Sequence, residues 1–433
     1  MNTLEQIAAQ LQGYDPQALR ATDVNAFLAR LVEPVSGTDT VNLFEALGRV
    51  LAEDVISPIS VPPHDNSAMD GYAFDGAQLP PREAPNAPSL TLRQVGTALA
   101  GTAWAGRVGP GECVKIMTGA IMPAGLDTVV PQEFTRIEGD SVTIPPKLLR
   151  PGDNRRLLGE DLMAGQPALR RGQRISPAAC GLLASLGLPS VPVVRRIKVA
   201  YFSTGDEILS LGEPPREGAV YDSNRYTVFG LLQGLGCEVI DMGVVRDDPA
   251  LLRAAFTQAA AQADAIITSG GVSVGEADHT KTMMRELGDV AFWRIAMRPG
   301  RPMAVGRIAP STDQPGARPA ILFGLPGNPV AVMVTFLAFV RPALLRMMGS
   351  HAQPQPLLKA RSSAAIRKKP GRTEYQRGSV RTAADGSLHV CTTGNQGSGV
   401  LSSMVQANGL IVLHHDQGNV AVGDEVDVML LEP

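Results

Sequence analysis

Aromatic residues make up only 4 % of the 433-residue chain, and cysteine is scarcer still. Cys113, Cys180, Cys237 and Cys391 lie far apart with no C-x-x-C pair. That excludes a zinc ribbon or a thioredoxin-like dithiol and suits a reducing compartment. No sign of charge dominates: 39 Lys and Arg stand against 42 Asp and Glu, for a net charge of -3. Nucleic acid and anionic membranes select broadly basic surfaces, so neither is expected as a partner. The first residues lack the basic and apolar regions of a signal peptide. The longest apolar stretch, residues 329–345, is broken by Arg341 and Pro342 and reads as a buried helix rather than a membrane span. A cytoplasmic protein is expected.

Glycine and proline are plentiful, at 45 and 34 residues, which implies many turns and several small modules. Residues 1–54 read as a helical linker region, with one helix opened by Asp23 and carrying Phe27, Leu28 and Leu31. A second would start at Thr40 and carry Leu43, Phe44, Leu47 and Leu51. Short β-like runs between Gly and Pro turns fill 55–150, a β-rich module, and 151–175 leads back to the first region. From 176 to 349, buried strands alternate with helices, for example 197–203, 238–245, 265–268 and 321–323. This rhythm predicts an open, mainly parallel α/β sheet. Residues 350–433 read as all-β, a small barrel or sandwich.

Ligands of open α/β sheets sit beyond the carboxyl ends of the strands. Three such ends carry unusual loops: Ser203-Thr204-Gly205-Asp206-Glu207, residues 268–278, and Gly324 to Pro329. In the last, Asn328 suits an N-cap and Pro329 the first helical position. Gly324 and Gly327 allow close backbone approach, and helix N-termini favour phosphate. A plain strand-to-helix turn explains the same residues. The loop with Gly270, Gly271 and Ser273 adds Glu276 and Asp278. With Asp206, Glu207 and Asp247 these acids gather near one edge, which suggests a divalent cation, usually magnesium. Taken singly, Asp247 or Asp248 serves equally well as a helix cap, and Asp206 as a turn residue. If residues 293–297 form a strand, Arg294 and Arg298 share a face, and with Arg301 they suggest an oxyanion clamp. Asp65 and Asp70, Thr118 and Asp161 lie in segments that ordinary turn chemistry also explains. No histidine has metal-ligand spacing, no serine has an evident triad partner, and the P-loop pattern is absent.

Seven of these segments, residues 65–72, 115–119, 159–161, 203–207, 268–278, 298–302 and 324–329, resemble molybdopterin molybdenumtransferase. This family includes the C-terminal domain of gephyrin, and the segments occur in its order across most of the chain. The resemblance implies a reaction in which molybdate enters adenylylated molybdopterin, with a divalent metal and release of AMP and molybdenum cofactor. It implies a homodimer whose site lies between the α/β and barrel domains of one subunit and the β-rich module of the other. Carried across, Glu207, Asp247 and Asp278 lie in the nucleotide and metal region, while Thr118 and Asp161 match residues needed from the other modules. Arg377 and Ser398 resemble barrel positions that approach molybdate. Arg294, Arg298 and Arg301 stand where many members have lysine, and Ala331 where some have serine. Competing expectations are a molybdopterin adenylyltransferase, which is essentially one domain, and a scaffold using the same fold.

Overall fold

Runs of consecutive apolar residues suit strands that are buried on both faces, the situation of a parallel sheet covered by helices. The computed structural model describes residues 3–11, 13–81, 87–272, 279–310, 318–351 and 354–431. The chain divides into two compact units. One holds the chain up to Ala52, Gly172–Ser176 and everything from Pro192 onward; the other holds Glu53–Arg171 and Pro177–Val191.

The second unit is built on a six-stranded sheet. Its strands are β1 (Gly71–Phe74), β2 (Leu90–Ala98), β3 (Glu112–Ile116), β4 (Thr128–Pro131), β5 (Arg136–Glu138) and β6 (Ser141–Ile144), in the order β4-β1-β3-β2-β6-β5. Alternating burial along β6 puts Val142 and Ile144 in a core with Phe74 and Leu92. The helix Pro177–Ser185 belongs to this unit.

In the first unit a mixed sheet comprises β7 (Lys198–Thr204), β8 (Glu238–Val245), β9 (Ala265–Ser269), β10 (Gly288–Arg294), β11 (Pro302–Ile308) and β12 (Ala320–Leu325). The order is β8-β7-β9-β12-β11-β10; the first four are parallel, and β11 and β10 close the edge antiparallel. Helices cover both faces. On one face α1 (Leu4–Ala9), α2 (Ala21–Leu31) and α3 (Ser223–Leu235) share a core with Trp293, whose ring meets Phe27 edge-on at 4.9 Å. On the other, α4 (Pro249–Gln262) brings Phe256 against Phe202 at 5.1 Å, beside Met284 of α5 (His279–Leu287). Phe27 is fully buried, so Phe27→Ala costs about 3–5 kcal/mol.

The C-terminal strands β13 (Leu358–Ser362), β14 (Thr373–Thr382), β15 (Leu388–Thr392), β16 (Gly409–Leu413) and β17 (Glu425–Leu430) close into a five-stranded barrel, because β14 pairs with both β15 and β16. The apolar stretch Pro329–Met347 is helical and long enough to cross a membrane, but it is mostly buried in the core. Its middle, Phe336–Val340, is π-helical. Pro342 lacks an amide donor there, so the regular bonding pattern cannot continue.

Two local expectations fail. Thr40 lies in a strand, Thr38–Asn42, and the helix that follows is a single turn, Leu43–Ala46, capped by Asn42 through Glu45 N. Phe44 is 99 % exposed. Second, β10 ends at Arg294, so residues 293–297 are not one strand. Arg298 lies instead in a two-residue strand, Met297–Arg298, that pairs with β14 of the barrel.

Candidate functional site

Strands β7, β9 and β12 end side by side, and their loops are tied together. Gly270 has φ +91°, and a Cβ there would lie 2.4 Å from the Thr204 carbonyl oxygen. Only glycine lets the two loops pack so closely. Its amide donates to Leu325 O at 3.2 Å, which fixes the end of β12 as well.

A cleft of about 670 Å³ opens beyond these loops, toward the barrel. Gly270, Gly271, Gly327 and Asn328 line it, together with Arg298, Arg301, Arg372 and Ser398. A second cavity of about 600 Å³ shares Glu207, Gly270, Gly327 and Asn328 with the first. The Arg298–Arg301 turn is pressed on the helix α6 (Pro329–Thr335): Gly300 has φ +93°, and a Cβ there would sit 2.5 Å from Thr335 Cγ2. Arg298 and Arg301 have no carboxylate partner among the described residues. Arg372, which no sequence motif marks, is held by Glu374 at 2.7 Å.

Arg294 does not join this group. It is exposed at the end of β10, where its backbone bonds the Pro16 carbonyl and the Leu19 amide. The chain turns at Ile295 and Ala296, which separates it from Arg298. Arg377 is buried behind the cleft wall, with 1 % exposure. Its Nε donates to Ser403 Oγ at 3.0 Å, and its Nη2 donates to the carbonyls of Asn395 and Gly397 at 3.2 and 2.9 Å. Burial, and then the nearby Arg298 charge, push its pKa down. It therefore shapes the loop that carries Ser398. Asn328 is at the N-cap position of α6, but its side chain donates to Ser398 Oγ at 3.0 Å instead of capping. Ser398 O accepts Val330 N at 3.1 Å, so this serine joins the barrel to the helix. Gly324 lies within β12, where a Cβ would press on Val272 and Ala304; it serves packing and does not line the cleft. Ala331 does line it.

Among the acids, Glu207 is exposed and borders both cavities. Asp248 is the helix cap, accepting Ala250 N and Leu251 N at 2.9 Å. Asp247 is thereby released from capping: its amide donates to Asp206 Oδ1 at 3.3 Å, and its buried Oδ1 has no partner. Ser273, Glu276 and Asp278 lie outside the described residues. Among the described residues no three metal-binding side chains come together.

In the β-rich unit, Asp70 Oδ1 accepts both the amide and the hydroxyl of Thr118 at 2.7 Å. These two bonds hold its carboxyl below the usual range. Asp65 accepts Leu158 N at 2.8 Å and lies 3.5 Å from Arg155. Asp161 is exposed, and its amide bonds Val61 O.

The second cavity adds Asp222 and Asn224, which the sequence does not mark as binding groups. Asp222 caps α3 through Arg225 N, and Asn224 Nδ2 donates to Gly327 O at 2.7 Å. Under them, the hydroxyls of Tyr201, Ser203 and Ser269 form a buried triangle with sides of 2.9, 2.7 and 3.1 Å. Burial pushes the Tyr201 pKa up.

Residues 19–187 match the MoeA N-terminal region (domain I and II), 200–346 a probable molybdopterin binding domain, and 359–431 the MoeA C-terminal region (domain IV). Molybdopterin molybdenumtransferase of Haemophilus influenzae is 41 % identical over 392 residues, which is 90 % of this chain and 93 % of that protein. The protein of the same name from Bacillus subtilis is 32 % identical over 398 residues, 91 % of this chain and 90 % of its own. The crystal structure of a molybdopterin biosynthesis moeA protein from Pyrococcus horikoshii OT3 superimposes with a TM-score of 0.78 at 28 % identity, covering 96 % of this chain and 100 % of that one. The chain belongs to the molybdopterin molybdenumtransferase family.

Proposed function

We propose that this transferase inserts molybdate into adenylylated molybdopterin, releasing AMP and molybdenum cofactor. The observation that carries the reading is a cleft at the strand ends with two guanidinium groups, Arg298 and Arg301, that have no acid partner among the described residues. Cations left unpaired beside glycine loops suit a bound dianion. Arg298, Arg301 and Arg372 hold molybdate, while the loops at Gly270 and Gly327 receive the phosphates. Ser398 and Asn328 fix the wall between them, and Arg377 fixes the loop behind Ser398. The contribution of these residues is positioning and charge neutralisation, with no covalent nucleophile.

Magnesium typically binds through one or two carboxylates, phosphate oxygens and retained waters. Glu207 and the unpartnered oxygen of Asp247 suit that role, with Asp278 as a third acid. Bound there, the ion would neutralise charge on the phosphoanhydride. The protein works as a cytoplasmic homodimer, in which Asp65, Asp70, Thr118 and Asp161 of one copy complete the cleft of the other. Exposed Val220, Tyr226 and Phe229, at and beyond the rim where α3 begins, support a second copy covering that side.

The test is AMP release by the purified protein given adenylylated molybdopterin, magnesium and molybdate, with Asp278→Asn as control. Release that requires molybdate and disappears in the variant is expected. Substrate binding without AMP release would overturn the reading in favour of a scaffold.

A further inference from the structure

Polar atoms in a protein interior are nearly always paired, and a group of exceptions calls for an explanation. The cavity bordered by Asp222 and Asn224 concentrates such exceptions. Asp222 is 4 % exposed and Asn224 8 %. Asp222 Oδ1 is occupied in capping, but Oδ2 is buried without a partner. The Asn224 amide is oriented by its bond from Nδ2 to Gly327 O, which leaves Oδ1 likewise buried and unpartnered. Both free atoms are acceptors.

The Thr204 hydroxyl, also buried in this cavity, has no partner and makes no bond to either of them, and the hydroxyl triangle beneath offers no donor. Tyr201, Ser203 and Ser269 have three hydroxyl protons and three mutual contacts, so a closed ring uses every proton. The cavity therefore contrasts with the adjoining arginine-lined cleft: one end offers cationic donors, the other an anionic acceptor, a neutral acceptor and the unpartnered Thr204 hydroxyl.

We propose that Asp222 and Asn224 bind the heterocyclic ring of the ligand by accepting hydrogen bonds from its ring N–H and amino groups. This rests on the function proposed above, whose substrate has two such rings, adenine and pterin. Both present an exocyclic amino group, and the pterin adds an adjacent ring N–H. A ring without these donors leaves two buried acceptors unmatched, which weakens binding and confers selectivity.

Asp222→Asn tests the assignment, because Asn caps a helix as well as Asp does while replacing the unpartnered acceptor by an amino group. Asp222→Ser keeps the cap and removes the second oxygen. Wild type and both variants are titrated separately with AMP and with free pterin, following calorimetric heat and pterin fluorescence, and their Tm values are compared. The expected result is a loss of roughly 10- to 100-fold in affinity for one ring, with the other ring and Tm unchanged. The ring that is lost identifies the occupant. Unchanged affinity for both, no binding of either ring to wild type, or parallel losses with a lower Tm would overturn the proposal. If wild type discriminates the rings through Asp222 but releases no AMP from adenylylated molybdopterin, the reaction is wrong and the ring site stands.

Discussion

The two edges of the central sheet are both rich in charge, yet only one has the makings of a site. At the amino edge, beneath β9 and β12, a cavity of about 340 Å³ is lined by Glu33, Arg195, Asp264, Arg307 and Arg318. Its bonds are internal. Arg195 and Asp264 form a fork at 2.7 and 2.8 Å, and Asp264 Oδ2 also accepts Lys198 N at 2.8 Å. Arg307 donates to Leu31 O and Arg318 to Pro34 O, tying this edge to the last residue of α2 and the chain that follows. At the carboxyl edge Arg298 and Arg301 lack acids among the described residues, and oxygens of Asp222, Asn224 and Asp247 lack donors. Volume and charge are common to both edges. What separates them is acid–base pairing: the arginine fork at the amino edge has its carboxylate, whereas Arg298 and Arg301 have none among the described residues.

Substitutions at the two edges should therefore behave in opposite ways. The largest effect is expected for Asp247→Ala, which removes an unpartnered acid: AMP release falls roughly 1000-fold, while the thermal midpoint holds or rises. A lower midpoint with retained activity would place Asp247 among the structural acids. Asp264→Ala strips partners from Arg195 and from the start of β7. It should cost about 2–3 kcal/mol in urea unfolding, with activity per folded molecule unchanged. Activity loss without destabilisation would erase the contrast between the edges.

The smallest effect concerns a satisfied acid in the β-rich unit. The folded pKa of Asp70 is lowered by its bonds from Thr118, so their contribution is complete above the unfolded value of about 3.9 and is lost as pH falls through the folded value. The Thr118 amide resonance should stay constant from neutral pH down to about 5 and move only below about 4. Titration near neutrality would mean that Asp70 is not held in this way.

Much of this layout was legible in the sequence, because strand-ending loops and helix caps are local. Asp248 and Asn328 sit at the expected helix starts, and residues 203–207, 270–271 and 324–329 lie at the ends of β7, β9 and β12. Burial was harder to read. Arg377 resembles a ligand contact in sequence, but the barrel encloses it, and only its bonds to the carbonyls of Asn395 and Gly397 reveal a supporting role. Arg294 and Arg298 have strand spacing, yet the chain turns between them to pair with β14. Asp222 caps α3 and Asn224 ties Gly327, and neither stands out in the sequence as a binding group. Their other oxygens become informative only when long-range packing shows that nothing answers them. Arg372 gave no local signal, since its place in the cleft depends on the barrel closing beside Arg298.

The role of the arginine-lined cleft is tested by the molybdate dependence of AMP release in wild type and Arg301→Ala. The variant, with an unchanged thermal midpoint, is expected to need roughly 100-fold more molybdate to reach half-maximal rate. An unaltered molybdate dependence would contradict the assignment of the arginine-lined cleft to the oxyanion.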